Sequence, residues 1–259
     1  FQTIQMKVFV INQDADADKL ALQSRQMDAL GLNWARIGAT TLDTITPPSD
    51  HKFWRRWHRI ITSSEKVQFA SHFSAWQRVL HSGQPGLIIE DDILLASGIH
   101  EFLNQIAEMT VPQHITIQAS DNKKLVSKTL DADVPMRRIY QDYTGSAAYV
   151  LFPLGASKMI SRAAKVVVAP IDAAISDARD LVSFQADPAL ATHMDDSDTK
   201  NRFALPETVK VNSYNRLVFR CRRINAQLAK GINFLAYRPI SVYRTVSVAT
   251  KWPDLGLKK

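Results

Sequence analysis

Cysteine is almost absent: Cys221 stands alone in 259 residues. That excludes an internal disulfide framework and fits a reducing compartment, the cytoplasm being the simplest expectation. No apolar run reaches the ~20 residues a bilayer-spanning helix needs. Nor does a basic stretch followed by a long apolar core open the chain, so a soluble or peripheral protein is expected. Repeats of roughly 20 to 50 residues and low-complexity tracts are missing, which removes solenoid and linker-dominated architectures. Acids are missing from the whole stretch Thr208 to Pro253. Phe1 to Gln5 precede Met6 and read as a cloning remnant, with the native start expected at Met6.

What is present suits a packed α/β interior: hydrophobic residues make up 46% of the chain. Lys7 to Asn12 reads as a short strand, and Lys19 to Leu30 repeats apolar residues at helical spacing until Gly31 stops it. Trp34 to Ala39 reads as a second strand, followed by a Thr-rich loop closed by Pro47 and Pro48. Glu65 to Leu80 reads as a helix with Phe69, Phe73, Trp76 and Leu80 along one stripe, and Gly83 to Gly86 separates it from a strand at Leu87 to Ile89. A helix from about Ser97 to Met109, a strand at His114 to Gln118, a loop-rich polar stretch to Val134 and a strand at Ala147 to Phe152 follow.

The run Leu87-Ile88-Ile89-Glu90-Asp91-Asp92 carries the most information. An apolar strand ending in three acids concentrates negative charge where a buried sheet meets solvent. Strand alternation puts Glu90 and Asp92 on one face and Asp91 on the other, so two carboxylates would converge on one cation. Hard oxygen ligands suit Mg²⁺ or Mn²⁺, ions that bridge nucleotide phosphates. Open α/β sheets bind ligands beyond the carboxyl ends of their strands, where this cluster lies. The plainer alternative is an acidic turn or helix start.

Other residues keep two readings open. His72 shares a helix with Phe69, Phe73 and Trp76 and is either a buried, hydrogen-bonded histidine or a ligand contact. Asp172 and Asp121 are candidate general bases, and Asp172 would equally suit a helix start. His193, ahead of the acidic run Asp195-Asp196-Ser197-Asp198, is a candidate late metal ligand or part of an acidic loop. In Phe53-Trp54-Arg55-Arg56-Trp57-His58-Arg59, the tryptophans either stack on a ligand beside phosphate-binding arginines or pack inward.

Ordered blocks of the chain resemble glycosyltransferase family 25, the lipooligosaccharide galactosyltransferases of Gram-negative bacteria. The blocks are Val8 to Asn12, Arg25, Ala39-Thr40-Thr41, Glu65 with Ser71, His72 and Trp76, Glu90-Asp91-Asp92, Tyr143-Thr144-Gly145 with Ala148-Tyr149-Val150, Gly155-Ala156, and Pro170-Ile171-Asp172. Departures are Gln13 in place of leucine, Lys66-Val67-Gln68 in place of Ile-Gly-Cys, and His193 where glutamine is usual. The resemblance spans about Met6 to Asp198. It implies an α/β fold of the GT-A type: a nucleotide-sugar-binding, Rossmann-like domain with a mixed, mostly parallel sheet. It also implies a UDP-hexose donor, galactose being the expected sugar, a lipooligosaccharide or lipopolysaccharide core acceptor, and inversion at the anomeric carbon.

On that reading Asn12, Arg25, Glu65, His72, Glu90 and Asp91 bind the donor. Asp92, Glu90 and His193 hold Mn²⁺ or Mg²⁺, Asp92 directly, and the ion stabilises the departing diphosphate. The expected organisation is a cloning remnant over 1–5, the transferase domain over 6–208 and a basic segment over 209–259.

That last segment carries Lys210, Arg216, Arg220, Arg222, Arg223, Lys230, Arg238, Arg244 and Lys251, and the whole chain has a net charge of +7. Tyr214, Leu217, Val218, Cys221 and Leu228 recur near helical spacing, so a basic amphipathic helix is expected. It favours an anionic membrane surface, on the cytoplasmic face of the inner membrane. A helix packed on the core with a solvated basic face is the alternative. No nucleic-acid partner is expected, because no base-reading motif is visible. Two rival functions remain open: a metal-dependent phosphodiesterase or nuclease, and a nucleotide-sugar-binding module without turnover.

Overall fold

The computed structural model describes residues 6–142, 145–165, 168–194 and 213–255. The suspected cloning remnant at 1–5, Tyr143 with Thr144, and the acidic run 195–198 lie outside the described residues.

Alternation of apolar side chains builds the sheet at the centre. In β1 (Lys7–Asn12), Val8 and Val10 face one way and Phe9 and Ile11 the other, so the strand is buried on both sides. It pairs in parallel with β2 (Trp34–Gly38) and β3 (Gly86–Glu90). Beyond β3 come β8 (Ala148–Leu151), β5 (His114–Thr116), β9 (Ser183–Ala186), β7 (Met136–Gln141), β6 (Lys124–Ser127) and β11 (Ser241–Arg244), in that spatial order. The pairings run β8, β7 and β11 against the other six strands, giving a mixed nine-stranded sheet in which most strands share one direction. A two-stranded sheet pairs β4 (Ile93–Leu95) with β10 (Ala191–His193). Strand β11 joins the main sheet from beyond residue 208.

Two hydrophobic clusters fill the two faces. On one, Val8, Val10, Leu87 and Ile89 pack with α1 (Ala17–Ala29) and α3 (Ile99–Ile106). On the other, Phe9, Ile11, Ile88 and Tyr149 pack with α2 (Ser63–Ser82), α4 (Pro153–Lys165) and α5 (Ile171–Ser176). Helix α2 starts on a capping box: Thr62 Oγ1 accepts the Glu65 amide, and the Glu65 carboxylate accepts the Thr62 amide at 2.8 Å. It ends at Gly83, whose φ of 66° is the left-handed cap that glycine adopts without strain.

The polar stretch before Val134 is not all loop. Lys124–Ser127 forms β6 because β7 and β11 pair with it on either side, and Lys124 is buried with its ammonium on Gln185 and Asp142. The tryptophans of the 53–59 stretch pack inward. Trp54 and Trp57 are buried, and the Trp54 indole N–H donates to the carbonyls of Pro47 and Pro48. The last helix, α6 (Ser213–Tyr237), runs for 25 residues.

Candidate functional site

The carboxyl ends of β1, β3 and β5 and the start of β8 meet at one edge of the sheet, and the acid triplet lies there. Glu90 is the last residue of β3, while Asp91 and Asp92 form a turn before β4. Strand alternation therefore stops at Glu90, and the expected pairing of Glu90 with Asp92 does not form. The three carboxylates diverge toward three sets of partners.

Glu90 turns toward α2. Its Oε1 accepts from Gln68 Nε2 at 2.9 Å and lies 3.3 Å from His72 Nε2. His72 is fully buried, and its Nδ1 is 2.9 Å from the Tyr149 hydroxyl, which accepts the Trp76 indole N–H at 2.8 Å. One proton arrangement satisfies every group. Trp76 donates to Tyr149, Tyr149 to His72 Nδ1, and His72 Nε2–H to Glu90. Burial pushes the Tyr149 phenol far above its ordinary value, so this hydroxyl keeps its proton.

Asp91 turns toward β1 and α1. Its Oδ2 accepts from Asn12 Nδ2 at 2.8 Å, and Lys19 stands 3.9 Å from Oδ1. Burial raises the Asp91 carboxyl above its ordinary range; Asn12 and Lys19 oppose that shift, and Asp92 adds to it. Asn12 itself is buried, and its amide oxygen accepts from Arg36. It positions Asp91 and keeps no amide group for a ligand. Helix α1 also holds the turn after the acids, through Gln23 and Gln26 donating to the Ile93 carbonyl and Leu95 donating to Gln26.

Asp92 turns toward β10. Strand β10 pairs with β4 so that His193 stands opposite Ile93, and His193 Nδ1 lies 3.2 Å from Asp92 Oδ2. Gln118 decides the tautomer. Its Oε1 accepts the Ala147 amide, which fixes the side-chain orientation, so its Nε2 donates to His193 Nε2 at 2.9 Å. His193 then carries its proton on Nδ1 and donates it to Asp92. Both ring nitrogens are engaged, so His193 orients Asp92 and offers no lone pair to an ion in this arrangement.

Asp172 closes the site from α5. It lies in the first turn of that helix, and its Oδ1 accepts the Ser146 amide at 3.0 Å. The side chain reaches solvent through a cavity of about 100 Å³ lined by His114, Arg138, Asp142, Ser146, Asp172 and Tyr237 among others. The residue as a whole is exposed, yet protein on the cavity side desolvates the carboxyl and raises it above the ordinary carboxylate range. The Ser146 hydrogen bonds oppose that shift, while Glu90 and Asp142 strengthen it. Gly145 suits its place beside Thr116: its φ is 115°, and a Cβ there would lie 2.8 Å from Thr116 Oγ1. At the cavity floor, His114 is buried and held neutral, its pKa lowered to about 3 by desolvation.

Other expected site residues are not brought to this edge. Glu65 is committed to the α2 cap and to Arg59, whose Nη1 is 2.9 Å away. Burial would raise its carboxyl, but the hydrogen bonds from Arg59 and Thr62 outweigh that and hold it below the ordinary value. Arg25 is exposed on α1, about 200° around from the buried Gln23. Asp121 is exposed in the loop after β5. Among the described residues, no group of three or more His, Cys, Asp or Glu side chains is arranged to hold a metal ion. Glu90, Asp92 and His193 therefore do not form the expected ligand set, although Asp92 with Asp91 beside it offers the carboxylate oxygens that Mg²⁺ and Mn²⁺ favour when substrate phosphates complete the shell.

The model for Glycosyltransferase family 25 (LPS biosynthesis protein) matches residues 5–175, or 171 of the chain's 259 residues. The chain belongs to glycosyltransferase family 25. The match includes Asn12, His72, the acid triplet and Asp172, the residues that the fold gathers at one edge. No curated protein matches the chain in sequence. Among solved structures, it is similar to a glycosyltransferase involved in the glycosylation of the major capsid of PBCV-1 at 9% identity and a TM-score of 0.41, covering 76% of this chain and 99% of that one. It is also similar to the glycosyltransferase GlyE of Streptococcus pneumoniae TIGR4 at 9% identity and a TM-score of 0.42, covering 91% of this chain and 63% of GlyE. The apo form of GlyE gives 9% identity and a TM-score of 0.41, with 96% and 65% covered. This chain thus spans less than two thirds of GlyE. At these scores the assignment to family 25 rests on the sequence match.

Gln68 and Gln118 are site residues that sequence reasoning missed. Gln68 belongs to the segment that departs from the family pattern, and in this chain the departure supplies a donor to Glu90. Gln118 closes a strand end and carries no sequence signal of its role.

Proposed function

We propose that this family 25 chain transfers a hexose, galactose being the expected one, from a UDP-sugar to lipooligosaccharide or lipopolysaccharide core, with inversion, at the cytoplasmic face of the inner membrane. The observation that carries the reading is the placement of Glu90, Asp91 and Asp92 at the carboxyl edge of a parallel strand pair with Asp172 nearby, each held by its own partners, in a chain of this family.

Asp172 is the base. Its raised carboxyl, anchored through Oδ1 by Ser146, receives the proton of the acceptor hydroxyl while that oxygen attacks the anomeric carbon and the bond to UDP breaks. A raised pKa makes it a better proton acceptor once ionised than a carboxylate of ordinary pKa. The acceptor sugar enters through the cavity that ends at Asp172. Glu90, held by His72 and Gln68, fixes the donor side of the same space.

Asp92, oriented by His193 and flanked by Asp91, would hold Mn²⁺ or Mg²⁺ together with the donor diphosphate. Such an ion, when bound, offsets the charge that develops on the leaving diphosphate.

The test is UDP release across a panel of UDP-sugars, with and without Mn²⁺ and with isolated lipooligosaccharide core, comparing the native chain with Asp92→Ala. Release from one donor, dependent on the ion and lost in the variant, is the expected result. Absence of both release and donor binding with every UDP-sugar would overturn the reading.

A further inference from the structure

Helix α6 turns its apolar side away from the protein. Leu217, Ile224, Leu228, Ile232 and Leu235 are between 45% and 68% exposed, and Cys221 is exposed among them. At about 100° per residue these six positions fall within an arc of roughly 80°. That is the geometry of one continuous stripe.

The helix is nevertheless seated. Arg222 Nη1 donates to the carbonyls of Arg55 and Trp57, both at 3.0 Å, Tyr237 stacks on Tyr140, and Phe234 stacks on Tyr243. The side that is held carries arginine and aromatic rings, and the side left to water carries the aliphatic residues. A basic helix packed on the core would show the reverse. Contiguous exposed apolar surface of this kind marks an interaction site.

Exposed Arg220 and Arg238 border the stripe, and Arg223 lies further round. Residues 213–237 contain no acid. Pairing of two copies through their stripes would set arginines against arginines with nothing to neutralise them, whereas anionic headgroups would neutralise all of them. No helix among the described residues is long and apolar enough to cross a membrane.

We infer that α6 lies in the plane of an anionic bilayer, with Leu217, Ile224, Leu228, Ile232 and Leu235 seated below the headgroups and the bordering arginines on lipid phosphates. The inference rests on the membrane-face part of the proposed function and specifies how the chain docks there. Tyr237, in the last turn, lines the cavity that reaches Asp172. Tyr237 faces away from the stripe, so docking through α6 holds that cavity on the protein side of the helix, about 10 Å out from the seated side chains and within reach of the sugars of a lipid-linked saccharide.

Cys221 makes the test direct, because the chain's sole cysteine sits on the stripe. The full chain, labelled there with the environment-sensitive fluorophore NBD, is mixed with phosphatidylglycerol/phosphatidylethanolamine vesicles or with phosphatidylcholine vesicles. Flotation of the unlabelled chain is measured in parallel. The expected result is a blue-shifted, brighter signal with the anionic vesicles only. The double substitution Leu228→Asp, Ile232→Asp lowers partitioning by about tenfold or more. Arg220→Ala and Arg238→Ala each lower it by about fivefold at low salt.

Flotation without any change in the label would overturn seating of the stripe. So would the absence of binding to any vesicle, or a concentration-dependent dimer abolished by the double substitution. UDP release with a soluble oligosaccharide acceptor separates this inference from the transfer reading. Retained release without vesicle binding overturns docking alone, and vesicle binding without release overturns transfer alone.

Discussion

The two sides of the turn after β3 are built from similar residue types to different ends. On the α2 side, Glu90, His72, Tyr149 and Trp76 form a buried chain of hydrogen bonds whose proton positions are determined by the indole at its far end. On the α1 side, Asp91 and Asp92 are held from separate directions, by Asn12 and by His193 backed by Gln118. The first arrangement is one unit, in which losing a member strands the next. The second consists of independent braces on two neighbouring carboxylates, the partly buried Asp91 and the buried Asp92. A coupled network stores geometry, and separately braced carboxylates are each aimed by their own partner.

The largest effects should come from the groups that face the ligands. Asp172→Asn is expected to lower kcat by a factor of about 10² to 10⁴, with the circular dichroism spectrum unchanged. Asp92→Ala should abolish the response of turnover to Mn²⁺, whereas Gln68→Ala should keep it. A metal titration of UDP release that showed the two variants alike would erase the contrast between the sides.

Next come the members of the buried chain. Tyr149→Phe removes the hydroxyl that accepts from Trp76 and serves His72, and should cost roughly 1 to 3 kcal/mol of stability. Urea unfolding reads this directly, and a stability equal to that of the native chain would show that the network is not coupled. On the other side, Asn12→Ala loosens Asp91 and should weaken apparent metal affinity by about tenfold, as measured by the Mn²⁺ concentration that gives half-maximal release.

The smallest effect is a displacement along the pH axis. Desolvation holds the Asp172 carboxyl above its ordinary range, so the protonated, inactive form persists to higher pH, and kcat/KM falls on acidification earlier than an aspartate of ordinary pKa would dictate. For stability the sign is opposite. A raised carboxyl favours the fold while protonated and loses that contribution as pH rises through the folded pKa. Asp172→Asn should therefore gain stability at neutral pH while losing activity. A fall in melting temperature at neutral pH would contradict the assigned environment.

Much of the first half of the fold was legible because local signals and packing agree there. Strand β1 has the bounds its composition predicts, and α2 shows the apolar stripe of Phe69 and Trp76, with Gly83 as its stop. The short strand β6 was not legible, since Lys124-Leu125-Val126-Ser127 becomes a strand only through partners supplied by residues 136–141 and 241–244. In the site, residue identity was visible and direction was not. The triplet announced itself, but its divergence follows from a strand that stops one residue into it. The braces Gln68 and Gln118 act across the fold on Glu90 and His193, a relation no local pattern carries. The tryptophans at 54 and 57 had two readings until the carbonyls of Pro47 and Pro48 gave one of them a buried partner.

The return of the chain after α6 bears on protein engineering. Strand β11 covers the outer side of β6, and the Ser97 amide donates to the carbonyl of Lys251. Shortening the chain before Ser213, an obvious step for anyone wishing to shed an adhesive basic helix, would also remove β11, uncover the backbone of β6 and create a template for intermolecular strand addition. Such a truncation would exchange one source of stickiness for another. Polar replacements on the outward side of the helix would leave the sheet border sealed.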